Sequence, residues 1–189
     1  VQGGKGYIIA DVARFGNDKA IIGYWSGWNL REVIVLDISK TTDVELAILT
    51  FRTKYKVPKN RVLIDDDGVG GGVTDATGGI GFKNASRPLK VNKDTPNYKN
   101  LQVQCLYELA DKINEGGLYI SADLTSEQKE NIKAELAQIQ AKGDHDPQRK
   151  LDCKSKADIK SDIGRSPDWR DMIMMRVFFD LKRPKLNLT

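Results

Sequence analysis

Hydrophobic residues in the first part of the chain fall into short runs of β-branched and aromatic side chains, which is typical of strands. Residues 6–11, 19–25 and 32–38 carry such runs and are predicted as the first three strands. Turn-forming residues at 26–29 join the second run to the third, as in a hairpin. Because the links between these strands are short, the pattern predicts an antiparallel meander.

The rest of the chain mixes short apolar runs with apolar residues that recur every three or four positions. Further strands are predicted at 62–64, 88–91 and 118–120. Helices are predicted at 43–55, 73–76, 97–115, 125–141, 156–163 and 167–181. This order of elements is that of the RNase H-like fold. We therefore expect an α/β fold, a single domain over 1–189, with a central mixed β-sheet (an antiparallel three-strand meander plus parallel strands) flanked by helices.

Composition narrows the class of protein. The 189 residues are 40% hydrophobic and 30% charged with a net charge of +4, as in an ordinary globular domain. No apolar run approaches the roughly 18 residues that cross a bilayer. Cys105 and Cys153 lack metal-ligand spacing, which favours a reducing compartment. The chain opens on Val1 without a visible signal peptide, so we expect a fragment or a processed product of a longer protein.

Carboxylates stand where two predicted strands end. Asp11 ends the first strand, and Asp65 ends the fourth, followed at once by Asp66, Asp67 and a glycine-rich turn. Ligands of open α/β sheets bind at the carboxyl ends of strands. Adjacent acids repel one another unless a cation lies among them. Because the first strand of such a sheet is central and can pair with the fourth, we expect Asp11 and Asp65 to lie close together.

The last helix carries a third acid. Ser166 is predicted as its N-cap and Pro167 as its first residue, which places Asp168 in the first turn, where negative charge is favoured. Asp171 lies beyond that turn and precedes the mostly apolar segment 172–179. Burying an ionised carboxylate costs several kcal/mol unless it is paired or binds a metal. Asp171 is therefore the third candidate ligand.

Acids on two strand ends and one packed helix predict a hard, oxygen-rich site for Mg²⁺ or Mn²⁺. Two such ions, about 4 Å apart, can stabilise both the attacking and the leaving oxygen of a phosphodiester. Lysines are frequent in 83–99 and 142–160, as around a site for a polyanion. The candidates for contact with DNA phosphates are Lys154, Lys156, Lys160 and Arg14.

Ordinary structural roles compete with several of these interpretations. Asp11 taken alone is more often a turn residue, and Asp66 and Asp67 individually fit turn or supporting roles. The glycine run is not a P-loop because no Lys-Ser/Thr follows it. The sequence Asp-His-Asp at 144–146 favours turn chemistry over metal binding. The lysines of 154–160 fit a solvated helix as well as they fit DNA contact.

At this point the motifs resemble a known family, the C-terminal nuclease domain of tailed-bacteriophage terminase large subunits. The resemblance depends on Asp11-Val-Ala-Arg-Phe-Gly-Asn-Asp18, on Asp65-Asp-Asp-Gly-Val-Gly70 and on Ser166-Pro-Asp-Trp-Arg-Asp171. The segment Lys-Ser-Lys-Ala-Asp-Ile-Lys at 154–160 precedes the third motif, and the order covers nearly the whole chain.

The resemblance implies an RNase H/RuvC-like endonuclease that uses two Mg²⁺ or Mn²⁺ ions to cut concatemeric double-stranded viral DNA, largely without sequence preference, in the host cytoplasm. It implies Asp11, Asp65 and Asp171 as catalytic metal ligands, with Asp168 as support and Asp66 as the alternative register of the second ligand. Its implied partners are an N-terminal ATPase domain, the small terminase subunit and the capsid portal. The ATPase domain is absent here, since the sequence has no Walker A motif.

Three alternatives remain open from the sequence. A RuvC-like resolvase or an RNase H would share the site but select junctions or hybrids. An ATP-binding domain of the actin and sugar-kinase type also places Asp-x-Gly turns after strands, but it normally has a second lobe of comparable size. A DNA-binding module that no longer cuts would fit the basic runs but would leave the burial of Asp171 unexplained.

Overall fold

The structure is a computed structural model that describes residues 4–12, 19–37, 40–68, 70–91, 93–143 and 149–182. Its strands are β1 (Gly6–Asp11), β2 (Ala20–Ser26), β3 (Asn29–Leu36), β4 (Val62–Asp65), β5 (Ile80–Phe82) and β6 (Tyr119–Ile120). Its helices are α1 (Thr41–Tyr55), α2 (Gly70–Thr77), α3 (Leu101–Asn114), α4 (Ser126–Leu136), α5 (Lys156–Ile163), α6 (Asp168–Met175) and α7 (Phe178–Leu181).

The six strands form one mixed sheet in the order β5-β4-β1-β2-β3-β6. Strands β1, β2 and β3 pair antiparallel, whereas β4 pairs parallel with both β1 and β5, and β6 pairs parallel with β3. The predicted meander with added parallel strands is therefore confirmed. The helices flank the sheet, and none in the described part of the chain is long and apolar enough to cross a membrane.

Alternating side chains of the strands separate two apolar layers. One face of the sheet packs against α1 and α2 through residues such as Ile8 and Ile64. The other face packs against α3, α6 and α7 through residues such as Ile9 and Leu63. Because side chains alternate along a strand, the residues two positions after Ile9 and Leu63 point towards the second layer as well. This arrangement sets the direction of the acids at the strand ends.

The fifth strand was predicted in the wrong place. It lies at Ile80–Phe82, where Gly79 and Gly81 hide the apolar pattern, and not at 88–91. The side chain of Gln104, buried on α3, accepts a hydrogen bond from the Leu89 amide at 2.7 Å and donates one to the Leu89 carbonyl at 3.0 Å. The backbone of that segment is thus paired with a side chain instead of a neighbouring strand.

The last helix also differs from its prediction. Pro167, not Ser166, holds the N-cap position, and the helix breaks into α6 and α7 around Arg176. The buried Arg176 guanidinium lies 4.0 Å from the Tyr7 ring centre and 4.8 Å from that of Trp28. It also donates to the Gly27 carbonyl at 3.0 Å. These contacts hold the far end of the sheet, opposite the acids.

We predict that the glycines at the start of α2 are not interchangeable. A Cβ on Gly70 would lie 1.6 Å from the carbonyl oxygen of Asp65, whereas one on Gly72 would meet nothing within 4 Å. Gly70→Ala should lower the free energy of unfolding by at least about 2 kcal/mol, since the backbone beside Asp65 must move. Gly72→Ala should raise it by roughly 0.5–1 kcal/mol, because alanine is the better helix former. Urea unfolding of the two variants measures both, and equal effects would contradict this packing.

Candidate metal centre

Two of the predicted ligands are adjacent in the sheet. Ala10 of β1 pairs with Ile64 of the parallel strand β4, so Asp11 and Asp65 follow as the next pair in register. Neighbouring strands are about 4.8 Å apart, and both carboxyl groups point towards the layer that contains α6. Asp11 is only 5% exposed. The strand ends therefore place two carboxyl groups side by side in a poorly solvated position.

Helix α6 brings further acids to this edge of the sheet. Asp171, 6% exposed, and Asp168 line a cleft of about 400 Å³ together with Asp11, Asp65 and Asp67. The other side chains that line this acidic cleft are those of Val12, Lys19, Asn84, Gln102 and Lys156. The three acids that the sequence singled out from distant segments are thus brought together.

The charge state of the cleft is shaped by burial and by repulsion. Burial raises the pKa of Asp11 well above its usual value, and the nearby charge of Asp171 raises it further. Burial likewise raises the pKa of Asp65 to about 6, although a backbone hydrogen bond from Asp67 opposes the rise. Removal of water stabilises the neutral form of a carboxyl group. Protons therefore compete with any cation for these two groups.

A lysine supplies positive charge inside the acidic cleft. The Nζ atom of Lys156, on the first turn of α5, lies 3.1 Å from Asp171 and 4.0 Å from Asp168. Its side chain is 49% exposed, so the ammonium reaches in from the solvent side. Burial alone would lower the pKa of Lys156, but Asp171 and Asp11 outweigh it and raise that pKa. Lys156 thus acts as a built-in counter-ion for the acids.

Asp171 is not the unpaired buried acid that its sequence context suggested. Its Oδ1 atom accepts hydrogen bonds from Nε of Arg170 at 2.9 Å and from Nη2 at 2.5 Å. Arg170 itself is fully buried. Asp171 also lies in the first turn of α6, not beyond it, so the helix N-terminus favours its charge. Pairing and the helix explain its burial, while Oδ2 is left to Lys156.

Asp66 is separated from the cleft by the alternation of the strand. It points towards the layer of α2, where a Cβ on Gly81 would lie 2.8 Å from its Oδ2 atom. Its nearest cation is Lys83, 3.8 Å away. Asp67 instead lines the acidic cleft, and its Oδ2 atom accepts a hydrogen bond from the backbone N–H of Asn84 at 3.1 Å. Of the three consecutive acids, Asp65 and Asp67 face the cleft and Asp66 does not.

Asn84 is a residue of the cleft that sequence reasoning missed. It follows β5, and because β5 is parallel to β4, its end lies at the same edge as Asp65. The Nδ2 atom of Asn84 donates to Asp65 at 3.4 Å, whereas its Oδ1 atom is buried and has no hydrogen-bond partner among the described residues. A buried oxygen without a partner is uncommon and fits a site for a cation or its water. Correct placement of β5 would have identified this residue.

Glu135 of α4 is the second residue that was missed. It is 1% exposed, accepts a hydrogen bond from the Arg170 amide at 3.1 Å and from Nε of Arg165 at 3.3 Å. Burial raises its pKa to about 7. A carboxylate at a helix N-terminus binds amides that the helix leaves unpaired. Glu135 therefore fixes the start of α6, the turn that presents Asp168 and Asp171.

The predicted DNA contacts lie in different places. Lys156 lies in the acidic cleft, as described above. Lys154 forms an ion pair with Asp162 and a hydrogen bond to Gln138. Lys160 is exposed on α5 and lines a neighbouring cleft with Arg165. Arg14 and the Asp-His-Asp segment at 144–146 lie outside the described residues.

The donor set suits a hard divalent cation. Carboxylates and one amide oxygen, without sulfur or imidazole, are the ligands of Mg²⁺ and Mn²⁺. As the side chains are placed, no three His, Cys, Asp or Glu residues within the described ranges are grouped closely enough to hold a metal ion. The cation that contacts the Asp171 carboxylate is the Lys156 ammonium, at 3.1 Å. The types of residue that line the acidic cleft therefore fit a divalent metal ion.

Comparison with known proteins points to one group of folds. No protein-family model matches the sequence, and no curated protein sequence matches it significantly. The nuclease domain of the large terminase subunit gp2 of bacterial virus Sf6 is similar, with a TM-score of 0.73 and 22% identity over 96% of this chain and 90% of that one. A mutant of that domain, solved with manganese, has a TM-score of 0.68 and 21% identity over the same shares.

A second phage protein has a similar structure. The large terminase nuclease from thermophilic phage G20c with bound magnesium has a TM-score of 0.58 and 14% identity, over 91% of this chain and 79% of that one. At these identities the comparisons show the fold. The chain has the fold of phage large-terminase nuclease domains, and the predicted RNase H-like architecture is confirmed.

The raised pKa of Asp65 predicts how stability depends on pH. A carboxyl group whose pKa is higher in the folded state stabilises the fold fully below its unfolded pKa, and that stabilisation is lost as pH rises through the folded pKa. The shift from 3.8 to about 6 corresponds to a loss on the order of 3 kcal/mol at pH 7.5. Asp65→Asn in EDTA should therefore be more stable than wild type, increasingly so from pH 5 to 7.5.

Thermal unfolding at the two pH values measures this difference. Asp66→Asn is the matched control, because its carboxyl group lies on the other side of the strand, and its effect should be small at both pH values. An Asp65→Asn protein less stable than wild type at pH 7.5 would show that this carboxyl group is not held at an electrostatic cost.

Proposed function

We propose that this chain is a metal-dependent endonuclease that cuts double-stranded DNA, as the nuclease part of a phage terminase large subunit. The observation that carries the proposal is the convergence of Asp11, Asp65 and Asp171 in one cleft at the carboxyl ends of β1 and β4. The fold shared with phage terminase nuclease domains supports it. The reaction is hydrolysis of a phosphodiester bond.

Asp11, Asp65 and Asp171 hold the metal, with Asp168 in support. When bound, two Mg²⁺ or Mn²⁺ ions supply the positive charge that stabilises the attacking and leaving oxygens of the phosphodiester. The residues of the chain position these ligands: Arg170 fixes the orientation of the Asp171 carboxylate through Oδ1. Glu135 holds the helix turn on which Asp171 lies.

Lys156 regulates access to the carboxylates. Its ammonium offsets their repulsion when no metal is bound, and it must leave Asp171 before a divalent cation can take that place. Competition of this kind weakens metal affinity, which suits a nuclease that must not cut while DNA moves past it. After displacement, the ammonium remains beside the cleft, where a phosphate of the substrate is its natural partner.

The biological setting follows from the same proposal. The 189 residues form a single nuclease domain that acts on concatemeric viral DNA in the host cytoplasm. An N-terminal ATPase domain of the full-length protein, the small terminase subunit and the capsid portal are its proposed partners. Contacts to phosphates carry no sequence information, so cutting is largely independent of sequence.

Cleavage of supercoiled plasmid in Mg²⁺, in Mn²⁺ and in EDTA tests the proposal. We expect nicking and linearisation with either metal and none in EDTA. Asp65→Asn and Asp171→Asn should each lower the rate by more than about 100-fold, since even residues behind the ligands typically contribute 10–100-fold. Asp66→Asn removes the same charge one residue away and should cut at close to the wild-type rate.

The other outcomes separate the competing functions. DNA binding without cleavage under any metal would favour a binding module. Selective cutting of four-way junctions or RNA–DNA hybrids would favour a resolvase or an RNase H. Equal loss of activity in Asp65→Asn and Asp66→Asn would remove the assignment of the second ligand, because only one of the two faces the cleft.

Removal of Lys156 should strengthen metal binding. Lys156→Gln eliminates the ammonium that competes for Asp171, so Mn²⁺ should bind more tightly and raise the melting temperature more than it does in wild type. Lys160→Gln, one turn further along α5, removes the same charge outside the acidic cleft and serves as the control. Isothermal titration and thermal unfolding with and without Mn²⁺ provide the measurement, and weaker binding in Lys156→Gln alone would contradict the competition.

A further inference from the structure

A second cleft borders the acidic cleft and has the opposite charge. It has a volume of about 170 Å³ and shares the side chains of Gln102 and Lys156 with the acidic cleft. Among the residues that the structure describes, five cationic side chains line it and Asp152 is the one carboxylate. The cations of this basic cleft are Lys99, Lys142, Lys154, Lys156 and Arg170.

Two helices begin at the basic cleft. Asn100, the N-cap of α3, and Ser155, the N-cap of α5, both line it. The N-terminus of a helix carries a partial positive charge and attracts anions such as phosphate. Two helix N-termini that face the same lysines add to one positive potential. This convergence is independent of the lysine side chains themselves.

Ion pairs offset part of the charge of the basic cleft, since Lys156 and Arg170 are both paired with Asp171, at 3.1 Å and 2.5 Å. Lys99 is paired with Asp152 at 2.8 Å, within the cleft. Lys142 is paired at 3.7 Å with Asp158, and Lys154 with Asp162, and neither of these two acids is among the lining residues. Cations gathered in a small volume repel one another unless an anion lies among them. Five cations against the four partner carboxylates of these ion pairs leave a net positive charge, which suits an anion.

The size of the basic cleft limits what it can hold. A volume of about 170 Å³ is equivalent to roughly five or six water molecules at about 30 Å³ each. One phosphate group with part of its hydration fits that space, whereas a base pair does not. The lining has no aromatic side chain on which a base could stack. Charge and size together select a phosphate.

We propose that the basic cleft binds a backbone phosphate of the DNA strand next to the phosphodiester that is cut. This inference rests on the proposed function and adds the path of the substrate: one phosphate lies at the acidic cleft and a neighbouring one at the basic cleft. Lys156, which lines both, lies between them. The DNA strand thereby enters the site from the side of α3 and α5.

The test measures DNA binding without cleavage. A fluorescent 30-base-pair duplex is titrated with the protein in EDTA, and anisotropy is recorded at several salt concentrations. The double variant Lys99→Gln/Lys142→Gln should bind about tenfold more weakly. The magnitude of the slope of log K against log salt concentration should fall by about two, one for each lost phosphate contact. Both side chains are more than half exposed, at 59% and 55%, so the fold should tolerate the change.

A matched control removes the same charge elsewhere. Lys54 and Lys133 are also exposed and ion-paired, with Glu32 at 2.7 Å and Glu130 at 2.8 Å, and neither lines the basic cleft. Lys54→Gln/Lys133→Gln should leave the affinity and the salt dependence within about twofold of wild type. Comparable weakening in both double variants would show that the loss of affinity comes from net charge alone, and it would overturn the inference.

A third variant is expected to act in the opposite direction. Asp152→Asn removes the one carboxylate among the described lining residues and frees Lys99, while the side-chain amide oxygen can still accept the hydrogen bond from the backbone N–H of Cys153. DNA should bind several-fold more tightly. A purely structural role for these residues would give weaker binding or none of this gain, so unchanged or weaker binding by a folded Asp152→Asn protein contradicts the site.

The outcomes distinguish this inference from the proposed function. If wild type cuts plasmid but the Lys99→Gln/Lys142→Gln variant binds and cuts like wild type, the nuclease proposal is supported and the phosphate site is contradicted. If wild type never cuts but the variants shift binding as expected, the phosphate site stands without the nuclease. A third outcome is that inorganic phosphate protects wild type, but not the Lys99→Gln/Lys142→Gln variant, against thermal unfolding while both bind DNA equally well. In that case the cleft binds free phosphate and the proposed DNA path is wrong.

Discussion

Repulsion among carboxylates is the constraint on which the rest of this structure depends. Five acids of the described residues line one cleft, and four of them are held there by the register of β1 and β4 and by the first turn of α6. Removal from water makes their ionised forms costly, which is why protons are held more tightly at Asp11 and Asp65. A fold that keeps these acids together must supply positive charge from its own parts or from bound cations.

The chain supplies that charge from the layer of helices. The N-termini of α3, α5 and α6 all reach this edge of the sheet, where their partial positive charges oppose the carboxylates. Arg170 and Lys156 add full charges against Asp171, one from the core and one from the solvent side. Glu135 in turn accepts a hydrogen bond from the backbone N–H of Arg170, so this carboxylate outside the acidic cleft helps to position the Asp171 carboxylate inside it. The result is a site in which the charges of the chain itself offset the repulsion among the acids.

The sequence predicted the parts of this site that depend on local pattern. Acids directly after apolar runs located Asp11 and Asp65, and the apolar segment after Asp171 located the packed helix. It could not separate Asp65 from Asp66, because only the three-dimensional structure tells which side of β4 faces α6. It missed Asn84 because glycines obscure β5, and it missed Lys156 as a counter-ion because α5 and α6 meet only through tertiary packing. The sequence also did not indicate that Asp171 pairs with Arg170, the residue before it, because an arginine is not expected to be buried.

The position of Lys156 between two clefts has a consequence for the order of binding. Its ammonium can neutralise the acids or contact a phosphate in the basic cleft, but one charge cannot satisfy both at full strength. In the proposed complex, a DNA phosphate in the basic cleft would draw Lys156 away from Asp171 and so lower the competition that a divalent cation meets there. By thermodynamic reciprocity, a bound cation that expels Lys156 strengthens the hold on the phosphate by the same factor. Metal and DNA would then bind cooperatively, and the chain without DNA would be a poor metal binder, which is what the proposed nuclease needs if cutting must wait until the substrate is in place.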